Sequence, residues 1–189
     1  MIKSETIAKW KQENICNENL YSLIIGFDIS KKEKYNTQKY FDIQNAIPDK
    51  KLNAKILSEI LEKNIGKEFT VHLENKKYAW NPDCLSPNID WCEIKEYLSK
   101  CEYLQKSGNE YFGEIQVKNI YTFLSIFLDY PQKLQYQDIE LYSINSNLVM
   151  NISSHGTFWL ISNDKFLINK LFSILCKENF VIIKGDTVQ

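Results

Sequence analysis

The sequence predicts an α+β fold in one globular domain covering residues 1–189, a largely antiparallel mixed sheet with about four helices packed on it. Three observations carry that expectation. Hydrophobic residues make up 44% and charged residues 25% of the 189-residue chain, the balance of an ordinary domain long enough to bury most of its unfolded surface. Apolar residues recur at helical spacing in some segments and alternate in others. The alternating segments follow one another through short turns while the helices fall between the groups, which favours α+β over the doubly wound α/β alternative.

Each element has its own signal. Ser4 to Ile15 is expected to form a short first helix carrying Ile7 and Trp10. Leu20 to Ile29 is rich in β-branched and aromatic residues and runs into the polar SKKEK, so it reads as a strand, and its near-continuous apolar character places it inside the sheet. Leu52, Ile56, Leu57, Ile60, Leu61 and Ile65 keep helical spacing between a start at Pro48-Asp49 and a stop at Gly66. Glu68 to Leu73 and Lys76 to Trp80 read as a hairpin around Glu74-Asn75, with Phe69, Val71 and Leu73 on one face; NPDCLSPN is then a loop.

Asp90 opens a second amphipathic helix whose stripe of Trp91, Ile94, Leu98, Cys101 and Gln105 ends at Gly108. Tyr111 to Val117 is a strand, and Asn119 caps the apolar helix Ile120 to Tyr130, which Pro131 terminates. Asp138 to Ile144, Leu148 to Ser153 and Thr157 to Ser162 alternate as a three-stranded C-terminal meander. A final helix follows, capped by Asn163 and carrying Phe166, Leu167, Leu171, Ile174 and Leu175, and Phe180 to Lys184 closes the chain as a strand.

Composition narrows the function. The formal charge is −1, from 23 basic and 24 acidic residues, and every basic residue is lysine. Arginine supplies the planar fork that reads phosphates and guanine edges, so its absence argues against specific nucleic-acid recognition. Five cysteines, Cys16, Cys84, Cys92, Cys101 and Cys176, are an odd number with no C-x-x-C pair, which is no disulfide framework. The opening MIKSETIAKWKQEN lacks the apolar core of a secretory signal and no run approaches about 18 apolar residues, so a cytoplasmic location away from membranes is expected.

Chemistry-bearing motifs are absent. Nothing matches a phosphate-binding P-loop, a dinucleotide fingerprint, a zincin helix or a nucleophile elbow. A catalytic cysteine needs a base, and the only histidines are His72, in a predicted strand, and His155, in a turn. Cys101 lies on an apolar stripe and reads as core; Cys84 sits in a Pro-flanked loop with no activating neighbour. The closest cysteines, Cys84 and Cys92, are too far apart for a tight zinc-ligand pair, so neither metal nor other cofactor is expected. Paired carboxylates such as Asp138 and Glu140, two apart on one strand, share a face; in a dry cleft they would make an acid and base pair, and the plainer reading is a solvated sheet face.

Charge placement carries more signal. From Lys31 to Lys77 there are eleven lysines against seven acids, whereas from Glu110 to Asp164 there are two lysines against six acids. The acidic segment is also rich in tyrosine, which adds contact area at low entropic cost while charge steers encounter. Glu110, Tyr111, Glu114, Asp138, Glu140 and Tyr142 are therefore the expected binding residues. The pattern predicts a module that binds another protein, as a bacterial immunity protein or antitoxin occludes a basic toxin, for example a nuclease. The alternatives are an enzyme built on Cys84 or on Asp138 and Glu140 with a histidine, and a structural or assembly component.

Overall fold

The computed structural model describes residues 19–27, 47, 49–73, 92–102, 104–107, 110–128, 139–153 and 157–185. Among these residues eight strands form one antiparallel sheet: β1 (Tyr21–Gly26), β2 (Phe69–Leu73), β3 (Leu104–Ser107), β4 (Glu110–Val117), β5 (Ile139–Ser143), β6 (Leu148–Ile152), β7 (Thr157–Ser162) and β8 (Val181–Gly185). Among the described residues there are four α-helices, α1 (Lys50–Asn64), α2 (Cys92–Ser99), α3 (Ile120–Phe127) and α4 (Lys165–Leu175). The strand order is β3-β4-β2-β5-β6-β7-β1-β8, and every neighbouring pair is antiparallel. The α+β expectation holds, including the meander β5-β6-β7 followed by a helix and a last strand.

The two-residue side-chain period of a strand divides the sheet into two faces. On one, cross-strand register lines up Ile115, Val71, Leu141, Met150, Leu160 and Leu23 across six strands, all with 1% exposure or less. This row joins Ala54 and Leu57 of α1, Leu98 of α2, Phe123 and Phe127 of α3, and Ile168 and Leu171 of α4 in one continuous core. The helices therefore cover a single face, with α1 between α3 and α4 and with α2 beside α3. Burying a side chain such as Leu57 or Leu141 is worth about 1.5–3 kcal/mol, which makes this layer the main source of stability.

Local chemistry sets most element ends. Asn119 caps α3 as expected, its Oδ1 accepting from Thr122 N at 2.8 Å. The cap of α4 is Asp164 rather than Asn163: Asp164 Oδ1 accepts from Phe166 N at 2.9 Å and Leu167 N at 3.0 Å. Gly66, just past α1, has φ +112, a conformation that side-chain-bearing residues avoid, and it ends the helix as predicted.

One element is corrected. The helix expected from Asp90 to Gly108 stops at Ser99, and Leu104–Ser107 is instead β3, paired with β4 from Leu104↔Gly113 to Ser107↔Glu110. Lys100 N and Cys101 N close onto carbonyls three residues back, at 3.1 Å each, and this tightening ends the helix. The helix expected at Ser4 to Ile15, the strand Lys76 to Trp80, and the loop bearing Cys84 lie outside the described residues, as does His155.

Candidate functional site

A cleft of about 390 Å³ opens between α2, the end of β4 and α3. Its position follows from the tight end of α2. The short helix turns back into the edge strand β3, so α2 lies over α3 at the β3 side of the sheet. Along α2 and the turn that ends it, Glu93, Tyr97 and Cys101 are spaced by four, with Glu96 and Lys100 beside them. Gln116, Lys118 and Asn119 enter from the β4–α3 junction, and Thr122 and Ile126, again four apart, from α3.

The floor is apolar. Tyr97 meets Phe127 edge-on at 5.4 Å and Phe123 at 5.9 Å, while Phe123 and Phe127 stack at 4.5 Å. These contacts fix the Tyr97 ring against the core while part of it stays open to the cleft. Ile126 is buried and Cys101 half-buried, with Cys101 Sγ donating to the Tyr97 carbonyl at 3.4 Å.

The rim is charged and its charges are arranged in pairs. Lys100 Nζ lies 2.6 Å from Glu96 Oε1 one turn back, and Lys118 Nζ lies 2.8 Å from Glu102 Oε1. The second pair ties the turn after α2 to the turn before α3 and so closes one end of the cleft. Both pairs are solvent-exposed, and such pairs orient side chains more than they stabilise a fold.

Protonation states follow from these surroundings. Burial, and then the neighbouring Cys101, drives the Tyr97 hydroxyl well above the ordinary tyrosine value. Burial raises the Cys101 thiol, with Lys118 opposing. The hydrogen bond and charge of Lys100 hold Glu96 below the usual carboxylate range, and Lys118 does the same for Glu102. Near neutral pH the floor is therefore uncharged while Glu96 and Glu102 are anions. A nucleophile would need a thiolate and a general acid or base would need a group poised near 7, and none of these four groups is in that state.

The residues singled out from the sequence are distributed differently. Glu114, Glu140 and Tyr142 do come together on the sheet face turned away from the helices: Thr70 of β2 pairs with both Tyr142 and Gln116, and Glu114 lies opposite His72. Tyr142 donates its hydroxyl hydrogen bond to Glu140 Oε2. Glu114 is only 9% exposed and Tyr142 5%, while Glu140 is half-buried. Tyr111 does not join them. It is one residue out of step, faces the helices, and is 6% exposed in the core. Glu110 opens β4, with its side chain outside what is described, and Asp138 lies outside the described residues.

Among the described residues no helix is long and apolar enough to cross a membrane, and no three His, Cys, Asp or Glu side chains are grouped to hold a metal ion. The fold and cleft define an α+β single-sheet domain with an apolar pocket inside a charged rim. The chain shows no significant match to a protein-family model, to a curated protein or to a solved structure.

Proposed function

We propose that the protein is a cytoplasmic binding module that neutralises a basic partner protein by occluding it, in the manner of bacterial immunity proteins and antitoxins. The observation that carries this reading is the cleft between α2 and α3. Its half-buried aromatic floor of Tyr97 with Ile126, ringed by charged side chains, has the anatomy of an interface anchor pocket, an apolar centre inside a polar rim. The neutral thiol and phenol at the floor favour binding over bond-making chemistry. The acidic bias from Glu110 to Asp164 would attract a basic partner at long range, with Glu114 and Glu140 on the sheet face turned away from the cleft and Glu93 at the cleft itself.

The test is to isolate the protein from its host with its bound partner, identify that partner, and measure association rates over a range of salt. The expected result is a partner of high isoelectric point, an association rate that falls as ionic strength rises, and loss of the partner's own activity in the complex. Salt-independent association, or a partner that keeps its full activity when bound, would count against the reading.

A further inference from the structure

We propose that the cleft between α2 and α3 is the anchor for one basic side chain of the partner, its methylenes laid on Tyr97 and Ile126 and its charge set at Glu93. The inference rests on the protein-binding reading and gives it a specific contact.

The rim's charges decide the sign. Lys100 is paired with Glu96 and Lys118 with Glu102, whereas Glu93 takes part in no ion pair among the described residues. One uncompensated carboxylate is therefore left at the mouth of an apolar pocket. Glu93 stands four residues before Tyr97, so the two positions lie on one side of the helix about 6 Å apart along its axis. A lysine or arginine side chain has the matching order of parts, an apolar stem and a cationic tip, and the tip gains further from the π-face of a tyrosine.

The groups that would draw an anion are engaged already. The N-terminus of α3 borders the cleft, but Asn119 Oδ1 takes the Thr122 N–H at 2.8 Å, and Lys118 is held by Glu102. A wholly apolar occupant would leave Glu93 facing it without a partner. The competing explanation for Glu93 is that it complements the α2 dipole from the first turn. That role affects helix stability and makes no demand on the charge of an occupant.

The full chain should be titrated, with amide chemical shifts as the readout, against three blocked amino acids: N-acetyl-arginine amide, N-acetyl-norleucine amide and N-acetyl-glutamate amide. The arginine probe is expected to shift Tyr97, Cys101 and Thr122 at concentrations where the other two do not. Glu93→Gln, a change at an exposed position, should weaken the arginine probe by about two- to five-fold, the size of an exposed ion pair. Thr122→Trp, also exposed, should fill the cleft and abolish binding.

Equal binding of the norleucine or glutamate probe, no arginine binding, or an arginine affinity unchanged in Glu93→Gln would each overturn the proposal. The same variants tested against the isolated partner separate the two readings. A Thr122→Trp protein that binds the partner as tightly as the wild type removes the anchor and leaves the binding reading standing. A host preparation with no protein partner removes the binding reading itself.

Discussion

The state of the Cys101 thiol separates a binding pocket from a catalytic one, and it can be measured directly. An unperturbed cysteine with a pKa near 8.5 is about 3% thiolate at pH 7, and that share changes about tenfold per pH unit while the thiolate is the minor form. Half-burial against the core raises Cys101 above the ordinary value, and Lys118 offsets this only in part because its ammonium is already paired with Glu102. Two exposed cysteines, Cys92 and Cys176, serve as internal controls. Limited iodoacetamide labelling of the folded protein over a pH series, read by peptide mass spectrometry, should modify Cys101 last of the three. Denaturant should remove the difference. Faster labelling of Cys101 than of Cys92 at pH 7 would mean an activated thiolate, and the argument that the cleft binds without bond-making chemistry would be refuted.

Three further outcomes follow from particular contacts. The fold keeps the Tyr97 hydroxyl protonated past the pH near 10 where a free tyrosine ionises, so above that pH the unfolded chain binds fewer protons and stability falls. Tyr97→Phe should therefore flatten the decline of the thermal midpoint over roughly pH 10 to 12, and an unchanged slope would contradict the assignment. At β8, a Cβ on Gly185 would sit 2.6 Å from Oγ of Ser22, itself 2% exposed. Gly185→Ala should cost about 1–3 kcal/mol, at about 2–4 °C of melting temperature per kcal/mol, and Ser22→Ala in the same chain should recover most of it; additive losses would show that the contact is not the cause. Asp164→Ala should cost about 0.5–2 kcal/mol and speed hydrogen exchange at Phe166 and Leu167, whereas Asp164→Asn, which keeps the acceptor, should change little.

Much of the fold was legible because local period and local caps agree with it. Ile120–Phe127 and Lys50–Asn64 carry unambiguous helical spacing, and the meander strands alternate between turn-forming residues. The failures occur where tertiary pairing overrides a local pattern. Cys101 and Leu104, three apart, fit a helix as well as they fit the start of a strand, and Gly108, read as a helix stop, lies outside the described residues. Gln105, the polar break in the stripe, was the one local sign of a change of period. Strand order could not be read from period at all. β2 lies between β4 and β5, and β1 between β7 and β8, because the pattern of one strand names its faces and not its neighbours.

The same rule bears on the expected binding set. Ile115 and Val117 are the apolar positions of β4 and share the parity of Tyr111, so the alternation that identified the strand also assigns Tyr111 to the core and Glu114 to the opposite face. Parity likewise places Glu140 with Tyr142 and apart from Leu141. Charge counted along the chain says nothing about depth, and the fold buries Glu114 while it leaves Glu93, outside the acidic segment, at the mouth of a cleft. That cleft had no signature of its own, since its walls come from a helix that ends early, a strand end and the first turns of the next helix. The selectivity proposed for it rests on which rim charges are already paired, Lys100 with Glu96 and Lys118 with Glu102, and the second pair exists only once the end of α2 and the β4–α3 junction have been brought together.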